Sequence, residues 1–90
     1  MILVVLATAY CLSGHTYSGT TVAPGTIATD PRVIPLGSRL HVPGYGDGVA
    51  LDTGSAVKGL HIDLWMRSCR AARAWGVRHV RITIKEKPHA

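Results

Sequence analysis

The sequence predicts a mainly β domain, a small closed barrel of six short strands with one short helix. Three observations point there. Glycine and proline punctuate the first two thirds, and the apolar runs between them are short, as in brief strands that turn on one another. A single stretch, SCRAARAW, carries helical signals. The crossovers between runs are too long for hairpins, which favours a sheet closed on itself. With 47% hydrophobic and 17% charged residues the chain is a compact globular one, and disordered and coiled-coil classes are excluded. Ninety residues form one domain, expected over 1–90. Such a chain buries only about 60 to 65 percent of the surface its unfolded form exposes, so a covalent staple would help it.

Ile2 to Tyr10 reads as the first strand, apolar on alternate positions of both sides and so expected to be buried on both faces. Its start, MILVVLA, is far shorter than the roughly 18 residues a spanning helix needs, and it lacks the basic flank and cleavage site of a leader. No stable membrane insertion is expected, and a secretion signal would lie upstream of the chain or have been removed from it. After the polar loop HTYSGTTVAPG comes a strand around Ile27 to Thr29, then a turn-rich link from Asp30-Pro31. Ser38 to Val42 alternates, with Leu40 and Val42 on one face. Gly48 to Asp52 follows the turn GYGDG, with Val49 and Leu51 on one face and Ala50 and Asp52 on the other. His61 to Met66 alternates again, placing Ile62, Leu64 and Met66 opposite His61, Asp63 and Trp65. Ser68 caps the helix and Gly76 stops it, with Ala71, Ala72 and Trp75 as its apolar stripe. Val77 to Ile84 closes the chain, with Val80, Ile82 and Ile84 inward.

Cys11 and Cys69 are the only cysteines, and neither belongs to a CxxC pair or a cluster of zinc-type ligands. A disulfide or two buried thiols remain; the small size of the chain favours the disulfide, which would contribute about 3 to 4 kcal/mol. The net charge of +5 and pI near 9.8 point to polyanionic partners. Nucleic acid is not among those expected: Arg67, Arg70 and Arg73 recur at helical spacing as a solvated face, and no aromatic ladder interleaves the basic residues. The acidic polymers of a bacterial wall remain.

Chemistry rests on the aspartates. Asp47 sits among turn glycines, where its backbone preferences suffice to explain it. Asp30 and Asp52 lie at or beside a strand end and Asp63 within a strand, all among apolar residues, where a carboxylate needs hydrogen bonds, a cation or a shifted pKa. For Asp30 the competing reading is a turn opened by Asp-Pro, and for Asp52 a carboxylate that caps the TGS turn. Asp63 is the most unusual, because it stands mid-strand in HIDLWM with Trp65 on its own face, a setting that raises a carboxyl pKa and suits acid catalysis. The tetrapeptide DTGS, residues 52–55, is also what aspartic proteases carry at their catalytic carboxylate. In retroviral-type proteases that motif lies in the first third, with a flap hairpin after it and a late GR(D/N) motif; here it lies past the midpoint and only WGVRHV stands late. Three carboxylates so far apart in sequence fit a cleft better than a metal-binding loop, and His15, His41, His61, His79 and His89 show no HxxxH or HxH pairing, so no metal is expected.

The joint pattern TAYCLSG, DPRVIPLGS, VPGYG, DTGSAVKG and IDLW, followed by AWG and VRITI, resembles the three-aspartate (3D) domain family of bacterial wall-remodelling proteins, from about Ala7 to Ile84. Within that resemblance the fold is a double-psi β-barrel similar to the catalytic domain of membrane-bound lytic transglycosylase A and of stationary-phase-survival-type transglycosylases, and more distantly to rare lipoprotein A and expansins. It implies that Asp30, Asp52 and Asp63 are the family's three aspartates, with Asp63 as acid/base. Thr53, Gly54, Lys58 and Gly59 match the loop lining the cleft floor, and Thr8 and Tyr10 the opening strand beside it. Ser55 and Val57 depart from the usual glycine and isoleucine without removing a catalytic group.

The resemblance implies a peptidoglycan lytic transglycosylase outside the cytoplasm, acting on glycan strands without a cofactor and leaving room for other cell-wall modules. One carboxyl could protonate the departing glycosidic oxygen and then accept the C6 hydroxyl proton as a 1,6-anhydro ring closes. Asp52 and Asp30 would hold Asp63 protonated. A barrel of the expansin type that binds glycan without chemistry is the alternative.

Overall fold

Alternation along each strand decides what the barrel encloses. The computed structural model describes residues 1–86, so His89 lies outside the described residues. Its strands are β1 (Ile2–Tyr10), β2 (Thr26–Thr29), β3 (Arg39–Val42), β4 (Gly46–Asp52), β5 (His61–Trp65) and β6 (Arg78–Glu86), with one helix, α1 (Cys69–Trp75). They close in the order β1-β5-β2-β4-β3-β6. The β1·β5 and β2·β4 pairs are parallel and the other four antiparallel. The mainly β closed barrel of six strands and one helix is thus the fold expected from the sequence.

The core is built from one face of each strand: Val5 and Ala7, Ile27, Leu40 and Val42, Ala50, Ile62 and Leu64, Ile82 and Ile84. Ile34 enters it from the link after β2 and Trp75 from the helix. Each fully buried Ile or Leu contributes about 1.5 to 3 kcal/mol over its exposed state. The Trp75 indole also donates to the Ala7 carbonyl at 3.1 Å, which satisfies its buried N–H.

Several expectations need correction. β1 is buried on one face only, with Ile2 59% and Val4 53% exposed, because a closed barrel has one inside and no second layer covers the outer face there. Ala71 is exposed, so the inward stripe of α1 is Ala72 and Trp75. One connection is a hairpin: β3 and β4 pair antiparallel around Pro43–Tyr45, where the Tyr45 amide donates to the Val42 carbonyl at 3.0 Å and Gly44 has φ 83°. Asp47 therefore lies in β4 and not in a turn. It pairs with His41 at 2.8 Å and Lys85 at 2.9 Å on the exposed face.

Cys11, just past β1, and Cys69, the first residue of α1, form a disulfide that spans 58 residues. Ser68 caps the helix, accepting from the Ala71 amide at 3.2 Å. With α1 only seven residues long, its docking on β1 depends on this bond and on Trp75. Replacing both cysteines with serine should cost about 3 to 4 kcal/mol, read as a lower denaturant midpoint. A thiol reagent should leave the native, unreduced protein unlabelled, and full labelling would contradict the staple.

Candidate active site

Three neighbouring strands, β5, β2 and β4, bring two aspartates onto one rung. Ala28 in β2 pairs with Asp63 across the antiparallel side and with Asp52 across the parallel side. The second pairing exists because a β-bulge shifts the β2–β4 register by one residue between Ile27 and Ala28; Ile27 pairs with Ala50, yet Ala28 pairs with Asp52. The bulge takes Asp52 off the face of Ala50, which is fully buried, and leaves Asp52 half-buried. The shared face expected for Ala50 and Asp52 is therefore not observed. Gly48 holds β4 close enough for this pairing: a Cβ there would lie 2.6 Å from the Gly25 carbonyl oxygen and 2.7 Å from Ile27 Cδ1.

Asp63 accepts from the Thr8 hydroxyl at 2.9 Å, since β1 and β5 place Thr8 opposite it. Burial, and after it the charge of Asp52, push its pKa above the ordinary carboxylate value; the bond from Thr8 and the charge of His61 oppose them. Asp52 accepts three bonds, from the Tyr10 hydroxyl at 3.2 Å and the amides of Tyr17 and Thr53 at 2.9 Å each. Burial and the adjoining Asp52 raise the Tyr10 hydroxyl well above its ordinary range, so it remains a donor at neutral pH.

Asp30 is placed differently. It is 2% exposed and does open the turn that Asp-Pro predicts, its carbonyl accepting from the amides of Val33 and Ile34. Its carboxylate is saturated: Oδ1 takes the Arg32 amide and Nε at 3.1 Å each, and Oδ2 takes Arg32 Nη2 at 3.0 Å and the Gly59 amide at 2.9 Å. The hydrogen bonds from the Arg32 side chain, with those from the Gly59 and Arg32 amides, hold it well below the ordinary carboxylate range. Asp30, whose charge is paired with Arg32, is not among the groups that shift Asp63, contrary to expectation. What it fixes is the loop 53–60.

A cavity of about 540 Å³ is lined by Tyr17 and Thr53, whose amides hold Asp52, and by Asp30, Pro31, Arg32, Leu36 and Lys58; Asp52 and Asp63 themselves are not in its lining. Lys58 and the Arg32 side chain, 78% exposed, stand at its rim. Gly59 has φ 68°, and Gly54 is tight, a Cβ there lying 3.0 Å from Val57. A second groove of about 440 Å³ runs along Thr20–Thr26 and Asp47–Val49 and contains none of the expected site residues. Sequence reasoning overlooked Arg32, Tyr17 and His61. Arg32 stands two residues after Asp30, but the Asp-Pro turn accounted for that aspartate without a cation; His61 was weighed only as a metal ligand; Tyr17 acts through its backbone and carried no signal.

The 3D domain family profile matches residues 25–86. YabE of Bacillus subtilis, named for cell wall shaping, is 44% identical over 92 residues, covering 92% of this chain and 23% of its own length. The cell wall-binding protein YocH of the same organism is 42% identical over 91 residues, 91% of this chain and 32% of its own. The chain thus spans only a minor part of the length of the relatives it matches. Among solved structures, Escherichia coli MltA with bound chitohexaose is similar with a TM-score of 0.66 at 23% identity, over 86% of this chain and 29% of MltA. That likeness is one of fold.

The two carboxyls predict opposite pH dependences. Folding favours protonated Asp63, so its contribution is full below the ordinary value of 3.8 and is lost as pH rises through the raised one. Asp63→Asn should therefore melt higher than wild type at pH 7, with the gain vanishing near about pH 3. Asp30 is depressed, so its contribution is present above 3.8 and lost as pH falls toward its folded value. Asp30→Asn should melt lower than wild type at pH 7, by a margin that narrows in acid. A pH-independent difference for Asp63→Asn would contradict the assignment.

Proposed function

The chain belongs to the 3D domain family, and from that premise we propose that it is a peptidoglycan lytic transglycosylase that cleaves the bond between N-acetylmuramic acid and N-acetylglucosamine. The observation that carries this reading is the pair of carboxyls on one rung, of which Asp63 is pushed toward its protonated form. Asp63 donates its proton to the departing glycosidic oxygen as the bond to C1 breaks. The resulting carboxylate takes the proton from the C6 hydroxyl while O6 bonds to C1, so a 1,6-anhydro end forms and Asp63 finishes protonated. No water is consumed, and one acid suffices where hydrolases use two carboxylates.

Asp52 acts through charge. Its carboxylate, held by three donors, favours the proton on Asp63 and stabilises positive charge at the anomeric carbon. Asp30 positions the loop: with Arg32 it holds the Gly59 amide and so sets the place of Lys58. Thr8 and Tyr10 orient the two carboxyls, and Thr53, Gly54, Lys58 and Gly59 line the path of the glycan. The basic chain suits an anionic wall, which supports a role outside the cytoplasm.

A second reading is favoured by the name of YocH, a cell wall-binding protein. In it the same cleft holds glycan and performs no chemistry. Mass spectrometry of soluble products after incubation with purified peptidoglycan separates the two. The wild-type chain should release muropeptides with 1,6-anhydro ends. Asp63→Asn should release them about two to four orders of magnitude more slowly while still binding glycan. A wild-type chain that binds glycan and releases none would replace the enzyme reading with the binding one.

A further inference from the structure

His61 stands two residues before Asp63 on the same strand, and both reach one hydroxyl. Thr8 Oγ1 lies 2.9 Å from Asp63 Oδ1 and 2.9 Å from His61 Nε2. The other ring nitrogen, Nδ1, lies 3.2 Å from the Ala56 carbonyl oxygen, which can only accept, so Nδ1 carries a hydrogen.

Counting hydrogens constrains the rest. Thr8 has one hydroxyl hydrogen for two neighbours. If it donates to an Asp63 carboxylate, His61 Nε2 must itself donate to Thr8, and the imidazole is then a cation. If it donates to Nε2, the imidazole is neutral and Asp63 must be protonated to donate to Thr8. Both contacts are satisfied at once only when the pair holds one proton, on either end. With none, a lone pair of Asp63 or of His61 faces the Thr8 oxygen at 2.9 Å. With two, Thr8 must turn its hydrogen to the Ile62 carbonyl at 3.3 Å.

We propose that Asp63, Thr8 and His61 form a proton relay, in which one proton is shared between the carboxyl and the imidazole through the Thr8 hydroxyl, and a glycan that seals the cleft drives it onto Asp63. The transfer balances: Thr8 gives its hydrogen to Asp63 as it takes the one on Nε2, so an ion pair becomes a neutral pair and the hydroxyl is regenerated. Desolvation supplies the direction, because removal of water penalises the charged pair more than the neutral one. The other groups bearing on Asp63 are Asp52 on β4, whose charge favours the protonated carboxyl, and Tyr10 on β1; β2 presents uncharged Ala28. His61 meets Thr8 on β1 and Ala56 in the loop. The catalytic meaning rests on the transglycosylase reading, in which Asp63 must be loaded before the bond breaks, and His61 is then a positioning residue that acts through Thr8.

The relay is tested without substrate, so its failure is distinguishable from that of the enzyme reading. Isotope-edited NMR follows Asp63 Cγ and His61 Nε2 against pH in the folded chain. Both resonances should report the same two inflections, separated by about one pH unit or more, as a coupled pair does. In Thr8→Val each should keep one inflection of its own, and Thr8→Ser should restore the shared pair. Independent single inflections in the wild type, or coupling unchanged in Thr8→Val, would overturn the relay. Should Thr8→Val lose its amide dispersion, His61→Gln decides: Asp63 Cγ should lose the inflection it shared with His61, and its persistence would equally overturn the proposal.

Discussion

Between Ile27 and Ala28 the parallel pairing of β2 with β4 slips by one residue, and that slip decides which residue shares the rung of Asp63. Without it, Ala28 would stand opposite Leu51, and the rung beside Asp63 would present an apolar side chain. With it, Asp52 takes that place while Ala50 stays in the core. A one-residue change of register normally moves a strand's side chains from one face to the other, so a bulge of this kind is structurally consequential. Gly48 makes the start of the parallel pair close enough, with the Val49 amide donating to the Gly25 carbonyl at 2.8 Å. Ala28, the small residue between the two aspartates, leaves them within electrostatic reach of each other.

The three aspartates differ chiefly in how many donors they have. Asp30 takes four hydrogen bonds, three of them from Arg32, and is fixed as an anion. Asp52 takes three, none from a cation. Asp63 takes one, from Thr8, while burial and the charge of Asp52 work against its ionisation. Donors favour the charged form and burial opposes it, so this ordering separates a carboxylate held as an anion from one pushed toward its protonated form. The tyrosines join the site to the frame: Tyr10 reaches Asp52, and the Tyr45 hydroxyl accepts from Gly25 and donates to the Trp65 carbonyl.

Much of this was legible in the sequence. The six strands and the helix followed from alternation and from glycine and proline, with every boundary exact or within two residues. The mid-strand position of Asp63 was legible because Ile62 and Leu64 on either side of it are strongly apolar and point inward. The pairing of Cys11 with Cys69 followed from their isolation and the small size of the chain. The bulge was not legible: β2 has only four residues, all buried, so its pattern specifies no register. Nor was the exposed face of β1, since an apolar run reads the same whether or not a second layer covers it. The Arg32 clamp was hidden for another reason. Asp-Pro accounts for a turn without any cation, and only the folded link shows the guanidinium turned back on Asp30.

On the transglycosylase reading, glycan is cut over the Asp52–Ala28–Asp63 rung. A crystal structure of Asp63→Asn with a bound N-acetylglucosamine–N-acetylmuramic acid tetramer tests it most directly, since the substitution preserves shape and removes the proton needed for turnover. A glycosidic oxygen should lie within about 3 Å of the residue 63 side chain, with the anomeric carbon facing Asp52. A tetramer seated instead along Thr20–Thr26, with residue 63 left uncovered, would contradict it.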